Sequence, residues 1–73
     1  MANILFEGTA TVKWYDKLKG FGYVVYEDNK EAFFHRTAIR LPDNQLPYET
    51  QSVQVRIIDA ERGPRCVIVE AAR

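Results

Sequence analysis

The chain has one cysteine, one histidine and no excess of charge of either sign. Cys66 alone cannot close an intramolecular disulfide, and it lacks the cysteine and histidine neighbours of a zinc site. It reads as a small apolar core residue, because free cysteine is among the most buried residue types. A lone thiol also fits a reducing compartment. Without disulfide or metal, one domain of 73 residues has only a limited core to hold it together. No apolar run approaches the ~20 residues of a membrane-spanning helix. Met1 to Glu7 lacks a basic start followed by a long apolar stretch. A soluble cytoplasmic monomer is the expectation, a single domain over residues 1–73 with residues 1–4 as a loose start.

Catalytic signals are also missing. His35 is the only histidine, and no serine or cysteine nucleophile has it at a motif spacing. There is no Gly-rich phosphate loop and no metal-ligand cluster. The acidic residues are scattered singly, so none is nominated as half of a catalytic pair. A binding module is expected rather than an enzyme, with no cofactor, no metal and no small-molecule substrate.

Ten basic and ten acidic residues give a formal net charge of zero. That counts against a simple electrostatic binder of duplex DNA, which is usually strongly basic. Four phenylalanines, four tyrosines and one tryptophan are present instead.

No window sustains the apolar spacing of an amphipathic helix. Short runs rich in Val, Ile, Thr and aromatics recur, and these read as strands. They cover Leu5 to Tyr15, Phe21 to Glu27, Ala32 to Arg36, Val53 to Asp59 and Cys66 to Ala71. Lys17 to Gly20, Glu27 to Lys30 and Glu61 to Pro64 supply turn residues between them. The stretch Thr37 to Ser52 holds Pro42 and Pro47 and fits no single element. It reads as a short helical turn near Thr37 to Leu41, followed by a surface loop. Five short strands imply an all-β fold. Closing into a barrel removes the edges of so small a sheet. A five-stranded antiparallel barrel of the oligonucleotide-binding type leads, with an SH3-like barrel as the alternative.

Side chains alternate along a strand, so Phe21 and Tyr23 share one face, as do Phe33 and His35. Gly22 has no side chain to pack on the opposite face. If these strands form a hairpin, the four rings make one patch. Val12, Val24, Phe34, Val53, Val55, Ile57 and Val67 can then fill the core. Alternating aromatics in a β protein are more often core than ligand platform, so pattern alone leaves both readings open. Turned outward, the rings would stack on unpaired bases while Lys13, Lys17 and Lys19 met phosphates.

The order of these motifs resembles the bacterial cold-shock domain. That family carries a Lys-Trp-Phe start, a Lys-Gly-Phe-Gly-Phe motif and, in the next strand, Val-Phe-Val-His-Phe. Here they stand as Lys13-Trp14-Tyr15, Lys19-Gly20-Phe21-Gly22-Tyr23 and Ala32-Phe33-Phe34-His35-Arg36. Thr37-Ala38-Ile39 and Arg62-Gly63-Pro64 resemble the family's Ser-Ala-Ile and its late Arg-Gly-Pro turn. The resemblance implies a five-stranded barrel that binds single-stranded RNA or DNA with low sequence specificity and acts as an RNA chaperone or a regulator of transcription or translation. It implies stacking by Trp14, Phe21, Tyr23, Phe33 and His35. It places Lys13, Lys19 and Arg62 beside the nucleic-acid backbone, with Arg36 as a further polar contact.

Departures from the pattern are specific. Asp16 replaces an asparagine, Arg36 an aromatic, and Thr50 a glycine common before the fourth strand. The loop from Leu41 to Thr50 lacks the family's aromatic, with Tyr48 nearest. Strict alternation would put Trp14 on the same side as Val12, so a bulge or bend is expected between them. The alternative function is a protein- or peptide-interaction module that uses the aromatic patch as a groove.

Overall fold

The computed structural model describes residues 3–72. The chain forms β1 (Ile4–Asp16), β2 (Phe21–Tyr26), β3 (Lys30–His35), β4 (Ile39–Arg40), β5 (Ser52–Ala60) and β6 (Gly63–Ala71). The sheet runs β3-β2-β1-β5-β6-β4 and closes through β3–β6. The five long strands thus form a closed all-β barrel of the oligonucleotide-binding type.

Closure depends on the length of β1. Its first half pairs with β5, from Ile4 opposite Ile58 to Thr11 opposite Ser52. Its second half pairs with β2, from Thr11 opposite Val25 to Asp16 opposite Phe21. One bent strand therefore serves both walls. The β1–β2, β1–β5, β2–β3 and β5–β6 ladders are antiparallel. The seam is the exception: Phe33 of β3 pairs in parallel with Arg65 of β6, and Ile39 of β4 with Val69.

Alternate positions of β1, β2, β3 and β5 fill the interior, and β6 adds two residues on either side of an irregularity. Ala10 and Val12 come from β1, Val24 and Tyr26 from β2, and Ala32 and Phe34 from β3. Val53, Val55 and Ile57 come from β5, and Cys66 and Val69 from β6. Phe34 is completely buried, and Tyr15 stacks on it with the rings 9° from parallel and centroids 5.7 Å apart. Burial pushes the Cys66 thiol up from 9.0 to about 12, as expected for a thiolate that would have to leave water.

Three local details differ from the sequence reading. Val67 is only half-buried. A register shift between Arg56 and Ile57 brings Ile57 opposite Cys66 rather than Val67, so Cys66 takes the inward place. The one-turn 3-10 helix after β3 spans Arg36–Ala38, earlier than Thr37 to Leu41. It stops there because Ile39 returns to extended backbone to pair with Val69. At the start, Asn3 and Ile4 are tied to β5: Asp59 N–H donates to the Asn3 carbonyl at 2.9 Å, and Ile4 faces Ile58. Residues 1 and 2 of the expected loose start lie outside the described residues.

Candidate nucleic-acid interface

The candidate surface is the outer face of β1, β2 and β3. In β1 the register against β2 shifts between Val12, opposite Val24, and Trp14, opposite Tyr23. Lys13 is the extra residue of this β-bulge. A bulge reverses the alternation downstream of it. Val12 therefore points into the core, Trp14 joins the outer face, and Tyr15 returns to the core against Phe34.

Gly22 then lets β2 lie close to that bulge. A Cβ on Gly22 would collide with the Trp14 carbonyl oxygen, come within 2.9 Å of Tyr15 Cα and within 3.0 Å of Phe34 Cζ. No side chain fits there. Its neighbours Phe21 and Tyr23 sit on the outer face, opposite His35 and Phe33 of β3. The rings touch in sequence. Trp14 meets Phe21 at 5.5 Å and Tyr23 at 5.3 Å between centroids. Phe33 meets Phe21 at 5.6 Å and Tyr23 at 5.8 Å. All four are half-buried, as is His35. They cover one another's edges while none belongs to the core. His35 stands at the end of this row beside Phe21, its Nδ1 3.0 Å from Thr37 Oγ1. The same nitrogen accepts the Thr37 N–H at 3.3 Å, which fixes the imidazole orientation.

Several cations stand at the turn between β1 and β2. The turn after β1 carries Lys17 and Lys19, both exposed. Asp16 accepts the N–H groups of Leu18 and Lys19 on one carboxylate oxygen, each at 3.0 Å. Its negative charge thus sits in the turn as a structural acceptor. Gly20 closes this turn with φ of +74°, a left-handed conformation suited to glycine. The Gly20 carbonyl accepts the Arg36 N–H at 2.8 Å. The Arg36 stem lies over Gly20, with Cδ 3.0 Å from where a Cβ would be. Leu18, at the tip, is 90% exposed, an apolar side chain with no packing role in the barrel.

Among the described residues the ion pairs are Lys13–Glu31 at 2.8 Å, Lys30–Glu27 at 3.9 Å and Arg56–Glu7 at 3.0 Å. Lys13 therefore has a carboxylate partner, unlike Lys19, Arg36 and Arg62. This pair is half-exposed on both sides and so holds Lys13 only weakly.

Arg65 was not legible as an interface residue in the sequence. Its guanidinium lies 5.8 Å from the Phe33 ring centroid, because the parallel seam sets Phe33 opposite Arg65. Nothing in strand periodicity signals a seam between residues so far apart. The one available sign is a second arginine directly after the Arg62-Gly63-Pro64 turn. Tyr23, Phe33, Arg62, Pro64 and Arg65 line a groove of about 520 Å³. Tyr48, in the loop before β5, is exposed, and no ring contact joins it to this surface among the described residues.

A chain of contacting rings on a barrel wall offers faces for stacking, and Arg62 and Arg65, unpaired among the described residues, offer donors for anionic oxygens in the groove beside Tyr23 and Phe33. The 'Cold-shock' DNA-binding domain family matches residues 8–72. The chain is 39% identical over 57 residues to the cold shock-like protein CspLB of Listeria monocytogenes, covering 78% of this chain and 86% of that one. It is 38% identical over 58 residues to the cold shock-like protein CspC of Bacillus cereus, covering 80% and 89%. The cold shock protein CspA of Staphylococcus saprophyticus is 36% identical over 59 residues, covering 81% and 89%. With the barrel, the motifs and these relatives in agreement, the chain belongs to the cold-shock domain family of nucleic-acid-binding proteins.

Proposed function

We propose that this protein binds single-stranded RNA or DNA with low sequence specificity, by stacking unpaired bases on Trp14, Phe21, Tyr23, Phe33 and His35. One observation carries the reading: four contacting rings occupy the outer wall of β1–β2–β3, where they do nothing for the core. Such a patch on a small soluble barrel marks a binding surface. Each base–aromatic stack contributes about 1–3 kcal/mol by alanine substitution. Lys19, Arg36 and Arg62 meet the phosphates, and Lys13 does so by exchanging Glu31 for a phosphate oxygen.

The mechanism is passive. Bases held on the wall cannot pair with one another. The protein therefore favours open over paired strands by mass action, without ATP. In a cytoplasmic monomer this is RNA-chaperone activity, with consequences for transcription or translation.

The test is RNA hairpin melting with a Phe21→Ala, Phe33→Ala double variant whose fold is verified by circular dichroism. The parent is expected to lower the hairpin's melting temperature in a concentration-dependent way, and the variant to leave it unchanged. A folded variant that melts hairpins like the parent contradicts the proposal. A parent without effect on any single strand points to the protein-interaction alternative.

A further inference from the structure

We infer that the groove between the Phe33 ring and the β5–β6 turn is a guanine-preferring subsite, with Arg65 as its specificity-determining residue. This rests on the single-strand reading above and adds one position of base preference to it.

The observations concern one place in the fold. The groove holds about 520 Å³ and is lined by Tyr23 and Phe33 of the sheet and by Glu61, Arg62, Pro64 and Arg65 of the β5–β6 turn and the start of β6. A pocket of that size admits a single base with its sugar. Its aromatic wall continues the ring row, so a strand lying on Trp14, Phe21 and Tyr23 leads into it. The Arg65 guanidinium already covers Phe33, 5.8 Å from the ring centroid. It is exposed and has no carboxylate within ion-pair distance among the described residues. A base that stacks on Phe33 must lift that guanidinium from the ring, which leaves its five donors beside the base edge.

Charge and hydrogen-bond chemistry then choose the base. Arginine donates two parallel hydrogen bonds to guanine O6 and N7, a pairing no other base offers in that geometry. Glu61, also part of the groove lining, supplies a carboxylate for the N1–H and N2 amino groups on guanine's other edge. Adenine puts an amino group where Arg65 needs an acceptor. Uracil and thymine lack the N7 acceptor and the amino group. Guanine is the base that satisfies both the guanidinium and the carboxylate. A lysine cannot replace Arg65 here, because a point-charge ammonium does not make the planar pair.

The test is competition anisotropy. A fluorescein-labelled oligothymidine is displaced by unlabelled heptamers of thymine carrying a single internal guanine, adenine or cytosine. One guanine per strand avoids quadruplexes, and sliding lets that base reach the groove. The guanine heptamer is expected to compete about five- to tenfold better than the all-thymine strand, the scale of one bidentate pair in an exposed site. Arg65→Gln is expected to bring it to the all-thymine level, while all-thymine affinity changes much less. Arg65→Lys is expected to fail to restore the preference, and Glu61→Gln to reduce it. Equal competition by all heptamers in the parent overturns the inference and leaves single-strand binding standing. So does a guanine preference that Arg65→Gln retains. If no heptamer displaces the probe and the probe itself does not bind, both readings fall.

Discussion

Asp16 is a residue whose two effects separate cleanly. Its carboxylate accepts two turn N–H groups, while its charge lies at the end of the strand pair that carries the rings. Asparagine, the residue of the resembling motif, keeps an oxygen acceptor and loses the charge. Asp16→Asn is therefore expected to cost no more than about 1 kcal/mol of stability and to raise oligonucleotide affinity about twofold at low salt. Denaturant melts and titration of the same variant check both; unchanged affinity would place the ligand's phosphates away from this turn. Thr50 carries a different kind of departure. It adopts φ of +71°, in the left-handed region that a β-branched side chain resists. Its N–H bonds the Val12 carbonyl while Gln51 accepts the Val12 N–H, each at 2.9 Å, so the loop is held in that conformation. Thr50→Gly is expected to raise stability by about 1 kcal/mol as strain is released, less the entropy glycine adds to the unfolded chain. An unchanged or lower melting temperature contradicts that. Both effects are legible in the sequence as departures from the motif, but only backbone geometry separates a strained position from a harmless one.

Among the elements, β1, β2 and β5 are legible because Val, Ile, Thr and aromatics alternate along them. The beginnings of β3 and β6 are not. Lys30 and Glu31 are charged and exposed, and Gly63-Pro64 reads as turn, yet both pairs lie in ladders. Pro64 is tolerated because it lies at the second residue of its strand, where a missing donor costs little. β4 is invisible to periodicity, since two residues carry none, and it exists only because β6 runs alongside it. The bulge at Lys13 is legible as a contradiction: alternation asks for Val12 and Trp14 on one side, and the motif asks for Trp14 outside. The matching shift in β6 leaves no such contradiction, because Cys66, Val67 and Ile68 are all apolar and any of them suits the core. Deleting Lys13 tests the role of the first bulge. The deletion puts Trp14 directly after Val12, so plain alternation still turns Trp14 outward and Tyr15 toward Phe34, and what is lost is the local irregularity and the Lys13–Glu31 pair. The variant is expected to lose about 1–2 kcal/mol in urea unfolding, with the Trp14 emission maximum unchanged. A blue-shifted emission maximum with lost oligonucleotide binding would show that the bulge itself, and not alternation, turns the rings outward.

For the whole molecule, a formal charge of zero means that the proposed binding of a polyanion rests on where individual charges sit. Glu7 and Glu31 are ion-paired on β1 and β3 and Glu27 in the turn between β2 and β3, Asp16 is bound by its turn, and Glu61 stands in the groove with Tyr23 and Phe33. Arg62 and Arg65 share the groove with Tyr23 and Phe33, and Lys17, Lys19 and Arg36 stand at the turn after β1, all without ion-pair partners among the described residues. On the proposed reading, long-range electrostatic attraction is weak and stacking supplies most of the affinity. Each neutralised phosphate of a single strand contributes a log–log salt slope of only about −0.7, so two to four phosphates give a shallow dependence. Trp14 is the only tryptophan and lies in contact with Phe21 and Tyr23, which makes it an internal probe of base stacking. The direct measurement is its fluorescence during titration with a short oligothymidine at low and moderate salt, beside a matched duplex. Saturable quenching by the single strand and not by the duplex, with a shallow salt slope, is the expected result. Absence of quenching at high micromolar oligothymidine, or equal quenching by the duplex, contradicts base stacking on this wall.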